Sequence, residues 1–146
     1  MFYIAYGSNM DLGQMRWRCP HAQYIMPIEL RDWRLMFKGS RTGSYATIER
    51  EEPCVTPALL WEITNLDEQS LDYYEGFPAF YYKEYINVPC YGTGMVYIMH
   101  EDRPFGKPTV QYYDLLDRAY KRFGFDRKIL KEALRFSTKN QNIKVK

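Results

Sequence analysis

The chain begins with a short apolar segment that runs directly into small polar residues. The four residues Phe2–Ala5 are all apolar or aromatic, which predicts a buried β-strand. They are followed at once by the sequence YGSN at positions 6–9, which does not continue a strand. Gly7 allows the backbone to turn sharply, and Asp11 is placed to cap a short helix that Pro20 would end. The sequence therefore predicts a strand that turns directly into a helix.

Such a junction can form an anion-binding site. Consecutive backbone N–H groups ahead of a helix have no intrahelical acceptor, so they can bind a carboxylate or a phosphate. Ser8 and Asn9 add small polar side chains at the same place. By itself, however, this sequence is more typical of an ordinary turn between a strand and a helix. A second feature is needed before it indicates a functional site.

The second feature is a glutamate at the end of a helix. Thr64 and Asp67 have the spacing of a capping box, and Gly76 is placed to end the helix that follows over residues 67–75. Glu75 then lies in the last turn, where the negative end of the helix dipole disfavours its ionised form. Several aromatic residues surround it and would raise its pKa by desolvation. These are Tyr73, Tyr74, Phe77 and Phe80. A general acid or base needs such a shift, although a solvated glutamate at a helix end is the plainer alternative.

The composition of the chain argues against several classes of function. The net charge of +2 is small and the basic residues are interleaved with acidic ones, which argues against a nucleic-acid partner. Three cysteines without Cys-x-x-Cys spacing, and no signal peptide or long apolar span, favour a reduced cytoplasmic protein that is not in a membrane. With only two histidines the chain offers no metal-ligand spacing, and we expect no metal and no cofactor.

Patterns along the rest of the chain predict about five strands and three or four helices around one core. The expected strands after the first are 24–37 in two pieces broken at Pro27 and at 31–32, then 45–49, 55–63, 81–88 and 93–100. Two late helices follow Thr109 and Asp126, and Gly124 ends the first of them. Residues 38–44 predict a flexible hairpin connection, in which Arg41 is a weaker candidate for a phosphate contact. We expect one domain over residues 1–138 and a polar, flexible tail over 139–146.

Together these motifs resemble the gamma-glutamylcyclotransferase-like family, which includes the gamma-glutamylamine cyclotransferase and AIG2-like branches. The resemblance rests on YGSNM at positions 6–10, Pro20 after the next helix, LDYYEG at 71–76, and Pro108-Thr109-x-x-Tyr112 at the start of a late helix. It extends from Phe2 to about Phe123. The resemblance implies an α+β fold in which helices pack around a small mixed β-barrel.

The resemblance also implies a set of site residues. The loop formed by Tyr6, Gly7, Ser8, Asn9 and Met10 would bind the α-carboxylate and amine end of a gamma-glutamyl group. Glu75 would be the general acid/base, and Tyr112 would line the pocket. Tyr81 and Tyr82 both fit a second pocket tyrosine, and we assign that position to Tyr82. Ala58 stands where the family pattern suggests glycine, and the loop after Phe37 is short and basic, so the choice of substrate stays open.

The implied reaction needs neither water nor a cofactor. The α-amine of a small gamma-glutamyl substrate would attack its own side-chain carbonyl, form 5-oxoproline and release the attached amine. The protein would act without nucleic acid or membrane, as a monomer or a homodimer. A different leaving group on the same site is one alternative. Two others are a non-catalytic module that binds an acidic gamma-glutamyl-type metabolite, and an interaction protein that uses its many tyrosines at an interface.

Overall fold

The computed structural model describes residues 1–40 and 43–141 of the 146-residue chain. Within these residues, five β-strands form one sheet and four α-helices pack on it. The strands are β1 (Phe2–Ala5), β2 (Gln23–Lys38), β3 (Tyr45–Glu62), β4 (Tyr81–Val88) and β5 (Gly92–Met99). The helices are α1 (Leu12–Arg18), α2 (Asn65–Glu75), α3 (Val110–Phe123) and α4 (Arg127–Asn140). The predicted α+β class is confirmed.

The sheet is open rather than closed into a barrel. Its strand order is β2-β3-β1-β5-β4, with β1 antiparallel to β3 and parallel to β5. A closed barrel requires that the two edge strands pair, and β2 does not pair with β4 within the described residues. The barrel expected from the resemblance is therefore corrected to an open mixed sheet.

Strands β2 and β3 form one long hairpin where four shorter strand segments were expected. The break predicted at residues 31–32 is an irregularity in the ladder. Asp32 has a φ of 68°, and the register shifts between the pairs Arg31↔Val55 and Trp33↔Arg50. No break occurs at Pro27, which stays paired with Leu59. Because β2 is an edge strand, the missing N–H of proline can face away from the ladder.

The short strand β1 lies in the middle of the sheet. Tyr3, Ile4 and Ala5 are buried because β1 has a neighbouring strand on each side and helices over the sheet. Tyr6 continues this anchoring, since its hydroxyl donates to the carbonyl oxygen of Tyr97 at 2.6 Å. The polar loop that follows β1 therefore emerges from the centre of the sheet and not from its edge.

The predicted helix ends are confirmed by their caps. Asp11 accepts a hydrogen bond from the backbone N–H of Gln14, and Thr64 and Asp67 form the complete capping box of α2. Gly76 ends α2 in the left-handed conformation, with a φ of 61°. The predicted tail begins inside α4, which extends to Asn140. Residues 142–146 of the tail, and Arg41 of the hairpin connection, lie outside the described residues, so the division into domain and tail stays a prediction.

Two observations concern the reactivity of the cysteine thiols and the possibility of a membrane-spanning helix. Cys19, Cys54 and Cys90 are free thiols. Burial raises the pKa of Cys19 to about 12, so this thiol stays protonated and is a poor nucleophile. In the part of the chain that the structure describes, no helix combines the length and the apolar character needed to cross a membrane.

The contact between β1 and β5 makes Gly94 a sensitive position. An added Cβ at Gly94 would lie 2.7 Å from Ile4 Cδ1 and 3.2 Å from Val88 Cγ2. Ile4 is only 1% exposed, so its side chain has little room to move away. We expect Gly94→Ala to lower the free energy of unfolding, measured by urea denaturation, by about 1–3 kcal/mol.

Gly13→Ala is the matched control for this prediction. Gly13 lies in α1, where the nearest atom to an added Cβ is Asp11 Oδ2 at 3.7 Å. Alanine favours a helix over glycine by up to about 1 kcal/mol, so this variant should be at least as stable as the wild type. Equal stability of Gly94→Ala and Gly13→Ala would contradict the predicted clash.

Candidate active site

The loop after β1 and the end of α2 meet at one cavity of about 450 Å³. Its wall includes residues from β1 and the loop, the ends of α1 and α2, the start of β3, β5 and the first turn of α3. The structure brings these predicted site residues to the cavity: Tyr6, Gly7, Ser8, Asn9, Glu75 and Tyr112. The two motifs are far apart in the sequence, and the fold makes them neighbours.

The loop presents backbone donors at the cavity. Ser8–Met10 form one turn of 3₁₀-helix, in which the N–H of Met10 donates to Gly7 O at 3.0 Å and that of Asp11 to Ser8 O at 3.0 Å. The N–H groups of Gly7, Ser8 and Asn9 have no acceptor among the described residues. Donors in this arrangement suit a carboxylate.

The Asn9 side chain holds the loop in place. It is 2% exposed, and its Nδ2 donates to the hydroxyl of Tyr3 at 2.9 Å. Its Oδ1 accepts from Gln14 Nε2 at 3.2 Å and from Arg18 Nη1 at 3.0 Å. Because both ends of the amide are engaged within the protein, Asn9 can offer a ligand its backbone N–H but has little capacity left in its side chain.

Two of the predicted contact residues do not reach the cavity. The Met10 side chain is buried in the core, and its N–H is already bonded. Tyr82 lies on the other face of β4, where its hydroxyl bonds to the carboxylate of Glu101. Successive side chains of a strand point to opposite faces, so Tyr81 faces the cavity instead, and its hydroxyl donates to Ala46 O at 2.8 Å. The assignment of the pocket tyrosine to Tyr82 is therefore corrected to Tyr81.

Tyr112 lies where it was predicted, in the first turn of α3. Thr109 caps this helix, and the Tyr112 hydroxyl accepts a hydrogen bond from the backbone N–H of Ala46 at 3.1 Å. An added Cβ on Gly7 would lie 3.4 Å from this hydroxyl, so glycine lets the loop run close to it. Burial raises the pKa of Tyr112 well above its usual value, which keeps the hydroxyl protonated.

Glu75 is the acidic side chain in the described part of the cavity wall. It is partly buried, and its carboxylate forms no hydrogen bond or salt bridge with any described residue. Burial raises its pKa from 4.5 to about 7, against the opposing effect of the positive charge on Arg18. The predicted direction is thus confirmed, with desolvation as the cause. A carboxyl group with this pKa can both accept and donate a proton near neutral pH.

Residues about one turn before Glu75 attach the end of α2 to the sheet. Asp72 Oδ1 accepts from the hydroxyl of Tyr97 on β5 at 2.6 Å. Lys83 of β4 lies between two acids of α2, with Nζ 2.9 Å from Asp72 Oδ1 and 3.0 Å from Glu68 Oε2. These contacts fix where the helix ends, and hence where Glu75 faces the cavity.

Comparison with known proteins agrees with this geometry. The profile of the family described as "Gamma-glutamyl cyclotransferase, AIG2-like" matches residues 3–118. The chain belongs to this family. A search of curated proteins found no match. Membership in the gamma-glutamyl cyclotransferase, AIG2-like family supports a cyclotransferase-type function, and the family acts on small gamma-glutamyl substrates.

Solved structures share the fold of this gamma-glutamyl cyclotransferase family member. A structure named gamma-glutamyl cyclotransferase is 24% identical with a TM-score of 0.76, and the match covers 91% of this chain and 85% of that chain. A protein from Homo sapiens is 23% identical with a TM-score of 0.73, covering 99% and 88%. A gamma-glutamyl cyclotransferase from yeast that is specific to glutathione is 14% identical with a TM-score of 0.56, covering 97% and 99%. At these identities the likeness shows the fold.

Sequence reasoning missed one charged residue of the cavity wall. No motif in the sequence marks Arg18, yet its guanidinium lies 4.4 Å from the ring centroid of Tyr74 and lines the cavity. The only signal was its position in the last turn of the helix that follows the loop. The tyrosine-rich composition was compatible with a polar cavity, but it did not show that Tyr3, Tyr45 and Tyr97 would line one.

The raised pKa of Glu75 has a consequence for stability in this gamma-glutamyl cyclotransferase family member. Between about pH 4.5 and 7 the folded state retains a proton at Glu75 that the unfolded state releases, so unfolding becomes easier as pH rises through that window. Glu75→Gln does not ionise. We expect the free energy of unfolding of Glu75→Gln, relative to that of the wild type, to be about 2 kcal/mol higher at pH 8 than at pH 4, measured by urea denaturation. This difference is smaller than the full pKa shift would give, because Glu75 is partly exposed and solvent screens its charge.

Glu62→Gln serves as the control for this measurement. Glu62 is an exposed residue at the end of β3 and lies outside the cavity wall. Its substitution removes a carboxylate outside the cavity and gives the baseline against which the pH dependence of Glu75→Gln is compared. A Glu75→Gln effect that is the same at pH 4 and pH 8 would contradict a raised pKa in the folded protein.

Proposed function

We propose that this protein cleaves a gamma-glutamyl amide by intramolecular cyclisation, releasing 5-oxoproline and a free amine or amino acid. The observation that carries the proposal is the unpartnered Glu75 carboxyl, with a pKa of about 7, in the same cavity as the free N–H groups of the loop. The enzyme would be an acyltransferase in the sense that it moves the gamma-glutamyl acyl group onto its own amine.

The loop holds the glutamyl half of the substrate. The N–H groups of Gly7, Ser8 and Asn9 bind its carboxylate, and the rest of the glutamyl chain folds back so that the amine lies against the side-chain carbonyl. Nucleophile and electrophile belong to one molecule, so alignment alone can lower the barrier by several kcal/mol. The rigid support of the loop by the buried Asn9 side chain favours this role.

Glu75 moves the proton that the reaction requires. The substrate amine arrives as an ammonium ion, and Glu75 removes one proton so that the nitrogen can attack the carbonyl carbon. A carbon–nitrogen bond forms, and the carbonyl oxygen takes negative charge. When the bond to the leaving nitrogen breaks, the carbonyl re-forms from the charged oxygen and Glu75 returns its proton to the leaving nitrogen. The ring nitrogen still carries a second proton, which passes to the released amine directly or through solvent, so the amine departs as an ammonium ion. One carboxyl group thus serves both steps and ends in its starting state.

Tyr112 is suited to stabilise the charged oxygen. Its hydroxyl oxygen accepts from the Ala46 N–H, and its own proton has no acceptor among the described residues. A phenol kept neutral by burial is a good donor to a developing oxyanion. Tyr81 is not equivalent, since its proton is already donated to Ala46 O.

The free thiols of the described residues are in keeping with the cytoplasm as the place of action.

The test is 5-oxoproline release, detected by liquid chromatography and mass spectrometry. The panel comprises gamma-glutamyl amino acids, gamma-glutamylamines and gamma-glutamyl-epsilon-lysine. At least one member should be converted by the wild type. Glu75→Gln keeps the size and hydrogen bonding of the side chain but cannot accept the proton, so turnover should fall at least about a hundredfold.

Glu62→Gln is the matched control and should retain wild-type turnover. Circular dichroism of all three proteins establishes that the fold is intact. Full activity of a folded Glu75→Gln would exclude the proposed proton transfer. Thermal stabilisation by a panel member without any turnover would instead favour a non-catalytic module that binds a gamma-glutamyl-type metabolite.

A further inference from the structure

We infer that Arg18 is a specificity-determining residue that binds a carboxylate of the substrate. This inference rests on the proposed function, and it names a residue and a chemical group that the loop and Glu75 do not account for. It follows from how the guanidinium is held, from the charges around it and from the donors that it has left.

The guanidinium of Arg18 is fixed before any ligand binds. Nη1 donates to Asn9 Oδ1 at 3.0 Å, and the ring of Tyr74 lies against it with the centroid 4.4 Å from Cζ. The backbone is tied as well, because Ser70 Oγ donates to the Arg18 carbonyl oxygen at 2.7 Å. A side chain held in this way loses little conformational entropy when it binds a ligand, which favours affinity.

The charge of Arg18 is not paired in a salt bridge within the part of the chain that the structure describes. Within the described part of the cavity wall it is the only cationic side chain, and Glu75 is the only acidic one. The positive charge of Arg18 lowers the pKa of Glu75, against the larger effect of burial, so the two groups interact electrostatically across the cavity. A cation on a largely aromatic wall is best balanced by an anion that the ligand brings.

The donors of Arg18 suit a carboxylate. A guanidinium has five N–H donors in a planar fork, and the contact with Asn9 uses one of them. The remaining donors can form the paired hydrogen bonds that Arg makes with carboxylates. Lysine could supply the charge at this position but not this geometry.

Two carboxylates of a gamma-glutamyl substrate have this chemistry. One is the α-carboxylate of the glutamyl half. Because Arg18 contacts Asn9 of the loop, Arg18 and the loop N–H groups would bind this carboxylate together. The other is the carboxylate of a leaving amino acid, which gamma-glutamylamines lack. The experiment distinguishes them by including substrates with and without the second group.

The experiment compares wild type, Arg18→Gln, Arg18→Lys and the control Arg16→Gln. Arg16 is an exposed arginine on the same helix and is absent from the cavity wall. Steady-state kinetics are measured on a gamma-glutamyl amino acid and on a gamma-glutamylamine. Calorimetric titration measures the binding of 5-oxoproline and of its carboxamide, which has the same ring without the charge.

We expect Arg18→Gln to raise KM at least about tenfold with a smaller change in kcat, and Arg18→Lys to recover part of the loss. A KM increase for both substrates, together with loss of the preference for 5-oxoproline over its carboxamide, would assign the α-carboxylate. An increase confined to the gamma-glutamyl amino acid would assign the carboxylate of the leaving group. Arg16→Gln should behave as the wild type.

The inference is overturned if Arg18→Gln is folded, by circular dichroism, and has the KM values and the ligand preference of Arg16→Gln. If Arg18→Gln does not fold, Arg18→Lys decides, since a wild-type KM and ligand preference in that variant would equally exclude paired carboxylate binding. Product binding is measured without turnover. A wild type that binds 5-oxoproline through Arg18 but converts no substrate would therefore refute the proposed function while it supports carboxylate binding.

Discussion

The buried amide of Asn9 is the interaction on which the candidate site depends. An unsatisfied amide group at a position only 2% exposed would cost about 1–3 kcal/mol, so its bonds to Tyr3, Gln14 and Arg18 hold β1, the loop and α1 in one arrangement. That arrangement leaves the loop N–H groups without acceptors among the described residues and holds the Arg18 guanidinium at the cavity. A single side chain thus sets the position of both proposed anion-binding elements, while its own polar atoms are bonded within the protein.

The end of α2 shows the opposite arrangement, because here a polar group is left without a partner. Asp72 is bonded to Tyr97 and Lys83, whereas Glu75, one turn later, has no partner among the described residues and carries a pKa of about 7. Ionisation of such a group opposes folding. A stability cost at a site that needs a proton acceptor is a common compromise between stability and activity.

Features that depend on neighbouring residues were predictable from the sequence. Asp11, Thr64 with Asp67, and Gly76 each bond to backbone a few residues away, and the structure confirms these helix ends. The position of Glu75 at the end of a helix follows from the same signals. The long hairpin was less predictable, because the irregularity at Asp32 resembles a strand end in sequence, whereas pairing with β3 resumes at Trp33.

By itself, the sequence determined the strand-to-helix turn at Gly7, the helix that carries Glu75, and the motifs that place the chain in its family. Only the tertiary structure decided that Tyr81 rather than Tyr82 faces the cavity, that Asn9 is buried, and that Arg18 lines the wall without a salt bridge to any described residue. The physical reason is the range of the interactions. Caps and turns form within a few residues, whereas burial and side-chain pairing depend on which distant elements pack together.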